Sequence, residues 1–106
     1  MQNTLSILPR GTTPTIRFRF RKVPVEDITE AYLTVWQGRV IAELDISAAT
    51  AGEDTLGWRL TQEETLAIRP DEPVEIQCRW KTGNNTAGAS RVFTLLGYKI
   101  LKDGEI

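Results

Sequence analysis

Apolar and polar residues alternate without interruption over residues 74–81, Val-Glu-Ile-Gln-Cys-Arg-Trp-Lys. Side chains alternate between opposite faces of an extended strand, whereas a helix would scatter the same residues around its surface. One face of this segment is therefore apolar and the other polar, as a half-buried antiparallel strand requires. The apolar face includes Cys78 and Trp80, so both side chains are predicted to point into a core.

The same period of two recurs along the chain and predicts an all-β fold. The predicted strands cover residues 16–21, 31–37, 40–46, 56–60, 74–81 and 91–101. Irregular or loop segments are predicted at residues 9–14, 23–27, 47–54 and 82–88. About seven short strands separated by turns are typical of a sandwich. We therefore expect an immunoglobulin-like antiparallel β-sandwich, and the length fits a single domain over residues 1–106.

One segment departs from this alternation. Residues 61–64, Thr-Gln-Glu-Glu, have the form of a capping box, in which a threonine and a glutamate cap each other's backbone N–H groups. Pro70 ends any helix that starts there. The sequence therefore predicts one short helical turn near residues 61–67, bridging two strands.

Composition removes several classes of function. Thirteen basic residues stand against 14 acidic ones, so there is no overall basic field for nucleic acid. Residues 1–10 lack the basic start and long apolar run of a signal peptide or membrane span. We expect a protein that folds in a reducing cytoplasm, with no membrane partner. Cys78, the single cysteine, cannot form an internal disulfide and is predicted to be a buried, inert thiol.

No catalytic or cofactor site is predicted. The chain has no histidine, which removes the usual general base and the commonest metal ligand. With one cysteine, a zinc or iron–sulfur site is not expected, and no glycine-rich phosphate loop is present. Adjacent acidic residues occur at predicted turns, where carboxylates cap backbone donors. We therefore expect a protein that is not an enzyme and that needs no metal or cofactor.

The first candidate recognition surface is a row of arginines. Arg17, Arg19 and Arg21 would project from one face of a strand about 7 Å apart, which suits an acidic partner or phosphates. The alternative is a solvated strand whose charges discourage aggregation between sheets.

The second candidate is an aromatic row. Tyr32, Thr34 and Trp36 share the strand face opposite Ala31, Leu33 and Val35, and both faces look apolar. One face could point to the core and the other to a partner, because aromatic residues on a surface strand are typical interface anchors. The alternative is that both faces are buried. Trp58 is predicted, like Trp80, to belong to the core.

Five segments, in this order, resemble a known group of proteins. They are RGTTPTI at 10–16, AYLTVWQ at 31–37, LTQEETL at 60–66, VEIQCR at 74–79 and ILKDGEI at 100–106. Together they resemble small prophage-encoded tail-region proteins of Gram-positive gut bacteria. Those proteins are in turn similar to the N-terminal domain of the siphophage baseplate upper protein.

This resemblance implies an immunoglobulin-like building block of a virion that acts through contacts with phage tail or baseplate proteins. In the baseplate protein this domain docks onto the tail hub, and a C-terminal part carries receptor-binding proteins. The sequence stops at Ile106, so we expect a small adaptor or decoration subunit. Two alternatives stay open: a carbohydrate-binding module for a cell-wall glycan, with Tyr32 and Trp36 as a stacking surface, and a small regulatory protein that binds a host factor. A homo-oligomer also remains open.

Overall fold

A computed structural model describes residues 6–106, which fold into strands and one short α-helix. Two 3-10 turns, at Val25–Asp27 and Ile46–Ala48, connect neighbouring strands. The elements are β1 (Ile7–Pro9), β2 (Thr15–Arg19), β3 (Ile28–Trp36), β4 (Val40–Asp45), β5 (Ala49–Ala51), β6 (Thr55–Arg59), α1 (Gln62–Leu66), β7 (Pro73–Thr82), β8 (Ala87–Ala89) and β9 (Phe93–Tyr98).

The strands form two sheets. The larger sheet has the order β1-β9-β7-β3-β4, with β8 also paired to β7, and the smaller sheet has the order β2-β6-β5. From β4 to β9, the strands of the larger sheet correspond to strands C′-C-F-G of the immunoglobulin fold. From β2 to β5, those of the smaller sheet correspond to strands B-E-D. The predicted immunoglobulin-like all-β sandwich is therefore confirmed. It is not wholly antiparallel, because β1 runs parallel to β9.

The core lies between the two sheets. Trp58 of β6 is fully buried at its centre, and its indole N–H donates a 2.8 Å hydrogen bond to the backbone carbonyl of Asp45. The ring of Phe18 meets the Trp58 ring edge-on at a centroid distance of 6.2 Å. The indole therefore fills the core and also ties the smaller sheet to the end of β4.

The helical turn forms where the capping box predicted it. The Thr61 hydroxyl accepts from the backbone N–H of Glu64 at 3.1 Å, and the Glu64 carboxylate accepts from the Thr61 N–H at 2.8 Å. Thr65 is buried, and its hydroxyl donates a 2.8 Å hydrogen bond to the Thr12 carbonyl. This bond attaches α1 to the segment that leads into β2.

Two short strands lie where the sequence indicated irregular chain. β1 includes Pro9, the first residue of the predicted lead-in, and β5 lies within the predicted loop 47–54. Each has three residues, too few to show an alternation, and each is held by one neighbour, β9 or β6. The predicted loop 82–88 and final strand 91–101 are also divided differently, into β8 and β9. Residues 1–5, part of the segment used to argue against a signal peptide, lie outside the described residues.

Truncating Trp58 should destabilise the domain strongly. We expect Trp58→Ala to lower the free energy of unfolding by about 3–5 kcal/mol, because it removes a large buried side chain and leaves a cavity. Trp58→Phe should cost less, since it keeps much of the volume and loses the hydrogen bond to Asp45. Urea denaturation of the three proteins measures the difference. Equal stability of wild type and Trp58→Ala would contradict this description of the core.

Candidate functional site

The two faces of β3 have different surroundings. Ala31, Leu33 and Val35 are almost completely buried against the smaller sheet, whereas Tyr32 is 41% and Trp36 42% exposed. The alternative in which both faces are buried is therefore wrong. β3 lies between β7 and β4, so its outward side chains occupy the middle of an open sheet surface.

This surface, which we call the outer face, consists of the side chains of the larger sheet that point away from the smaller one. The register aligns them in rows across the strands. Thr94 pairs with Glu75, Glu75 with Trp36, and Trp36 with Val40. The next rows are Gln77-Thr34-Glu43 and Arg79-Tyr32-Asp45, followed by the pair Lys81-Glu30.

One end of the outer face is rich in exposed apolar side chains. This apolar end lies where β3 finishes and β7 begins. Its exposed members are Ile7, Trp36, Val40 and Tyr98, and its partly buried members are Pro9 and Leu96. Ile7 is 47% and Tyr98 46% exposed, close to the value for Trp36. Single apolar residues on a surface are ordinary, but a group on neighbouring strands is typical of an interaction site.

The opposite end is charged. This charged end consists of Glu30, Tyr32, Glu43, Asp45, Arg79 and Lys81. The Lys81 ammonium lies 2.9 Å from the Glu30 carboxylate. Hydrogen bonds from the Ser47 side chain and backbone lower the pKa of the Asp45 carboxyl below its ordinary value, so Asp45 is ionised at neutral pH.

A shallow hollow of about 350 Å³ opens within the charged end. Tyr32 contributes its aromatic lining, and Glu43, Arg79 and Lys81 contribute charge. The hollow therefore offers an aromatic ring beside both donors and acceptors of hydrogen bonds.

The arginine row lies on the other side of the sandwich. Arg17 and Arg19 point outward from β2 of the smaller sheet, and Arg21 follows after the strand, also exposed. The Arg19 guanidinium is 3.4 Å from the Asp54 carboxylate, and the Arg17 side chain lies over Gly57. The structure therefore separates the two predicted groups, so the arginine row and the row Tyr32, Thr34, Trp36 cannot serve one continuous surface.

The remaining singled-out side chains face inward. Cys78 is fully buried, and burial raises the pKa of its thiol to about 11. Trp80 is partly buried at the edge of the core, with its ring edge-on to Phe20 at 5.2 Å. Trp80 is therefore less enclosed than the sequence indicated.

The sequence reasoning missed much of the apolar end. Ile7 and Tyr98 reach the outer face through the parallel β1–β9 pair, which brings the first and last strands of the described residues together. Val40 lies two residues before the buried Ala42, so strand alternation would place both side chains on the core side. A register shift between Val35 and Trp36 instead places it opposite Trp36, on the outer face. The signal that the sequence offered for this end was a tyrosine, Tyr98, in the last predicted strand.

Comparison with models of known protein families and with curated protein sequences gives no match to this chain. Within residues 6–106, no helix is long and apolar enough to cross a membrane. The same residues contain no group of three or more acidic or cysteine side chains arranged to hold a metal ion.

The Cys78 thiol should be unreactive in the folded protein. Burial hinders access, and the raised pKa keeps the thiol protonated at pH 8, whereas the thiolate is the attacking species. We expect labelling by a thiol reagent at pH 8 to be at least about 100-fold slower in buffer than in denaturing urea. Rapid labelling of the folded protein, followed spectroscopically, would contradict this placement.

Proposed function

We propose that this protein is a structural component of a phage or prophage tail or baseplate, and that it acts through protein–protein contacts made by the outer face. The ordered resemblance of five segments to prophage tail-region proteins supports this proposal. The observation that carries it is the apolar end, because exposed apolar side chains on neighbouring strands gain free energy when a partner covers them.

The composition of the apolar end fits a docking surface. Trp36 and Tyr98 are the residue types that most often anchor protein interfaces, since each ring brings a large contact area with few rotatable bonds. Polar and charged residues, including Glu75 and Thr94, lie among and around them. An apolar centre with a polar rim is the usual anatomy of an interface.

The hollow around Tyr32 favours a second candidate function, binding of a cell-wall glycan. A sugar ring could stack on the Tyr32 ring while the neighbouring carboxylates and cations bind its hydroxyls. This candidate uses the charged end, whereas tail docking uses the apolar end. The two functions can therefore be tested with different substitutions.

Removing apolar side chains from β1 and β9 should weaken tail binding. We expect the combined change Ile7→Ala and Tyr98→Ala to raise the Kd for a tail or baseplate protein at least tenfold, because both side chains would lose buried contacts. Binding to separately purified proteins from the same tail gene cluster can be measured by calorimetry. Arg17→Ala, on the opposite side of the sandwich, is the matched control and should bind like wild type. Failure of the wild-type protein to bind any of these tail proteins would count against the proposal.

For the glycan candidate, we expect Tyr32→Ala to abolish binding to purified cell-wall polysaccharide, while the Ile7→Ala and Tyr98→Ala protein keeps it. A glycan array probed with wild-type and variant proteins provides the measurement. Absence of wild-type binding to every cell-wall glycan, or equal binding by Tyr32→Ala, would remove this candidate.

A further inference from the structure

At the charged end of the outer face, the outward charges of β4 and β7 differ in sign. Glu75, also on β7, lies two rows away at the apolar end. Two acidic side chains, Glu43 and Asp45, point outward from β4, and two basic ones, Arg79 and Lys81, point outward from β7. β3 runs between these strands and carries Tyr32 at the same level as Arg79 and Asp45. At this end, Glu43 and Asp45 therefore form an acidic column and Arg79 and Lys81 a basic column, one on each side of the uncharged Tyr32. The carboxylate of Glu30, the next outward charge on β3, is bound to Lys81.

This arrangement is self-complementary under a two-fold rotation. Neighbouring strands lie about 4.8 Å apart, so the acidic and basic columns are placed at equal distances on the two sides of β3. Consider two copies that face each other, with a two-fold axis midway between them and parallel to β3. Rotation about this axis exchanges the two sides. It places the basic column of each copy over the acidic column of the other, with Arg79 opposite Asp45 in both halves.

We propose that a second copy of this chain packs face to face on β7, β3 and β4 to form a two-fold symmetric dimer. The proposal deepens the proposed function, on which it rests, by assigning one partner of the outer face. A two-fold interface uses the same patch on both copies, so each charge contact occurs twice.

The charges that would make these contacts are available. Among residues 6–106, Arg79 and Glu43 make no ion pair within the chain, and both are exposed. Lys81 is bound to Glu30, and Asp45 accepts hydrogen bonds from Ser47. A facing copy would place the Asp45 carboxylate opposite Arg79. Glu43 would lie opposite Gln77, one row from Arg79 of the second copy.

The residues of β3 lie on the axis and would meet their own counterparts. Tyr32 would approach the Tyr32 of the second copy, and Trp36 would approach the second Trp36, so the two exposed aromatic rings become buried together. Aromatic pairs of this kind add to the free energy gained from burial. The charge columns thus set the alignment, and the rings provide apolar contact.

The dimer should be weak and should leave part of the outer face free. Three strands at this spacing, over the nine residues of β3, present roughly 430 Å² per copy, about half the area of a standard specific interface. We therefore expect a Kd on the order of 10 µM. Tyr98 lies two strands and Ile7 three strands from β3, on the far side of β7, beyond the β4 edge of the second copy. They remain available for a tail protein.

Charge reversal tests the alignment. Sedimentation equilibrium of the wild-type protein should show a monomer–dimer equilibrium that weakens at high salt. Arg79→Glu alone and Asp45→Lys alone should each raise the Kd at least tenfold, because each places like charges together twice. Mixing these two variants should produce a heterodimer, and the double variant should dimerise again, within about threefold of the wild-type Kd.

Controls separate this test from effects on folding. Asp45→Lys also removes the acceptor for Ser47, so Glu43→Lys, which disturbs no hydrogen bond or ion pair of the described residues, is the second acidic-column variant. It should weaken the dimer in the same direction. Arg17→Glu, on the smaller sheet, should leave the Kd unchanged. Thermal unfolding of every variant verifies that it is folded.

Each result bears on the proposal. A wild-type monomer at concentrations up to about 1 mM, a dimer unaffected by Arg79→Glu, or single variants that weaken association without restoration on mixing would overturn it. A wild-type monomer that binds a tail protein, and loses this binding in Ile7→Ala/Tyr98→Ala, would leave the proposed function standing. A dimer restored by mixing, with no binding to any tail protein, would support this inference and remove the proposed function.

Discussion

The pairing of β3 with both β7 and β4 determines which side chains of the larger sheet face the core and which face solvent. Because side chains alternate along a strand, a slip of one residue would exchange the two faces of β3. Leu33 and Val35 would then face water, and Tyr32 and Trp36 would have to enter the core. The packing of small and branched residues against Trp58 excludes that exchange, so the position of the aromatic row on the surface is a consequence of how the core is filled.

The sequence was sufficient for the fold because its strongest signals are local and mutually consistent. Uninterrupted alternation located β7 and β3, and the capping box located α1. Only part of the outer face could be predicted from the sequence, because its composition depends on which strands become neighbours. Ile7 and Tyr98 are 91 positions apart and come to the same edge of the sheet through a parallel pair of three residues, which no periodicity can reveal. Val40 reaches the surface through an irregularity in pairing, and such shifts leave little trace in a short segment.

The near-zero net charge conceals an uneven distribution. Arginines cluster on the outside of the smaller sheet, with Arg59 of β6 beside the Arg17 and Arg19 strand. The larger sheet carries both signs, and at its charged end the acidic side chains of β4 and the basic side chains of β7 lie on either side of Tyr32. A balanced total is therefore compatible with strongly directional electrostatics, in which orientation during an encounter is governed by local fields and not by the overall charge.

The edges of the sheets restrict how copies of this chain can associate. β1, at one edge of the larger sheet, has three residues and ends in Pro9, which has no N–H to offer an added strand. β4, at the other edge, carries carboxylates and an irregular register. Both features oppose growth of the sheet from molecule to molecule through backbone pairing, the route that leads to open-ended fibres. Any association of copies through the larger sheet would then use its outer face, where a two-fold contact covers the surface that it uses and closes the assembly.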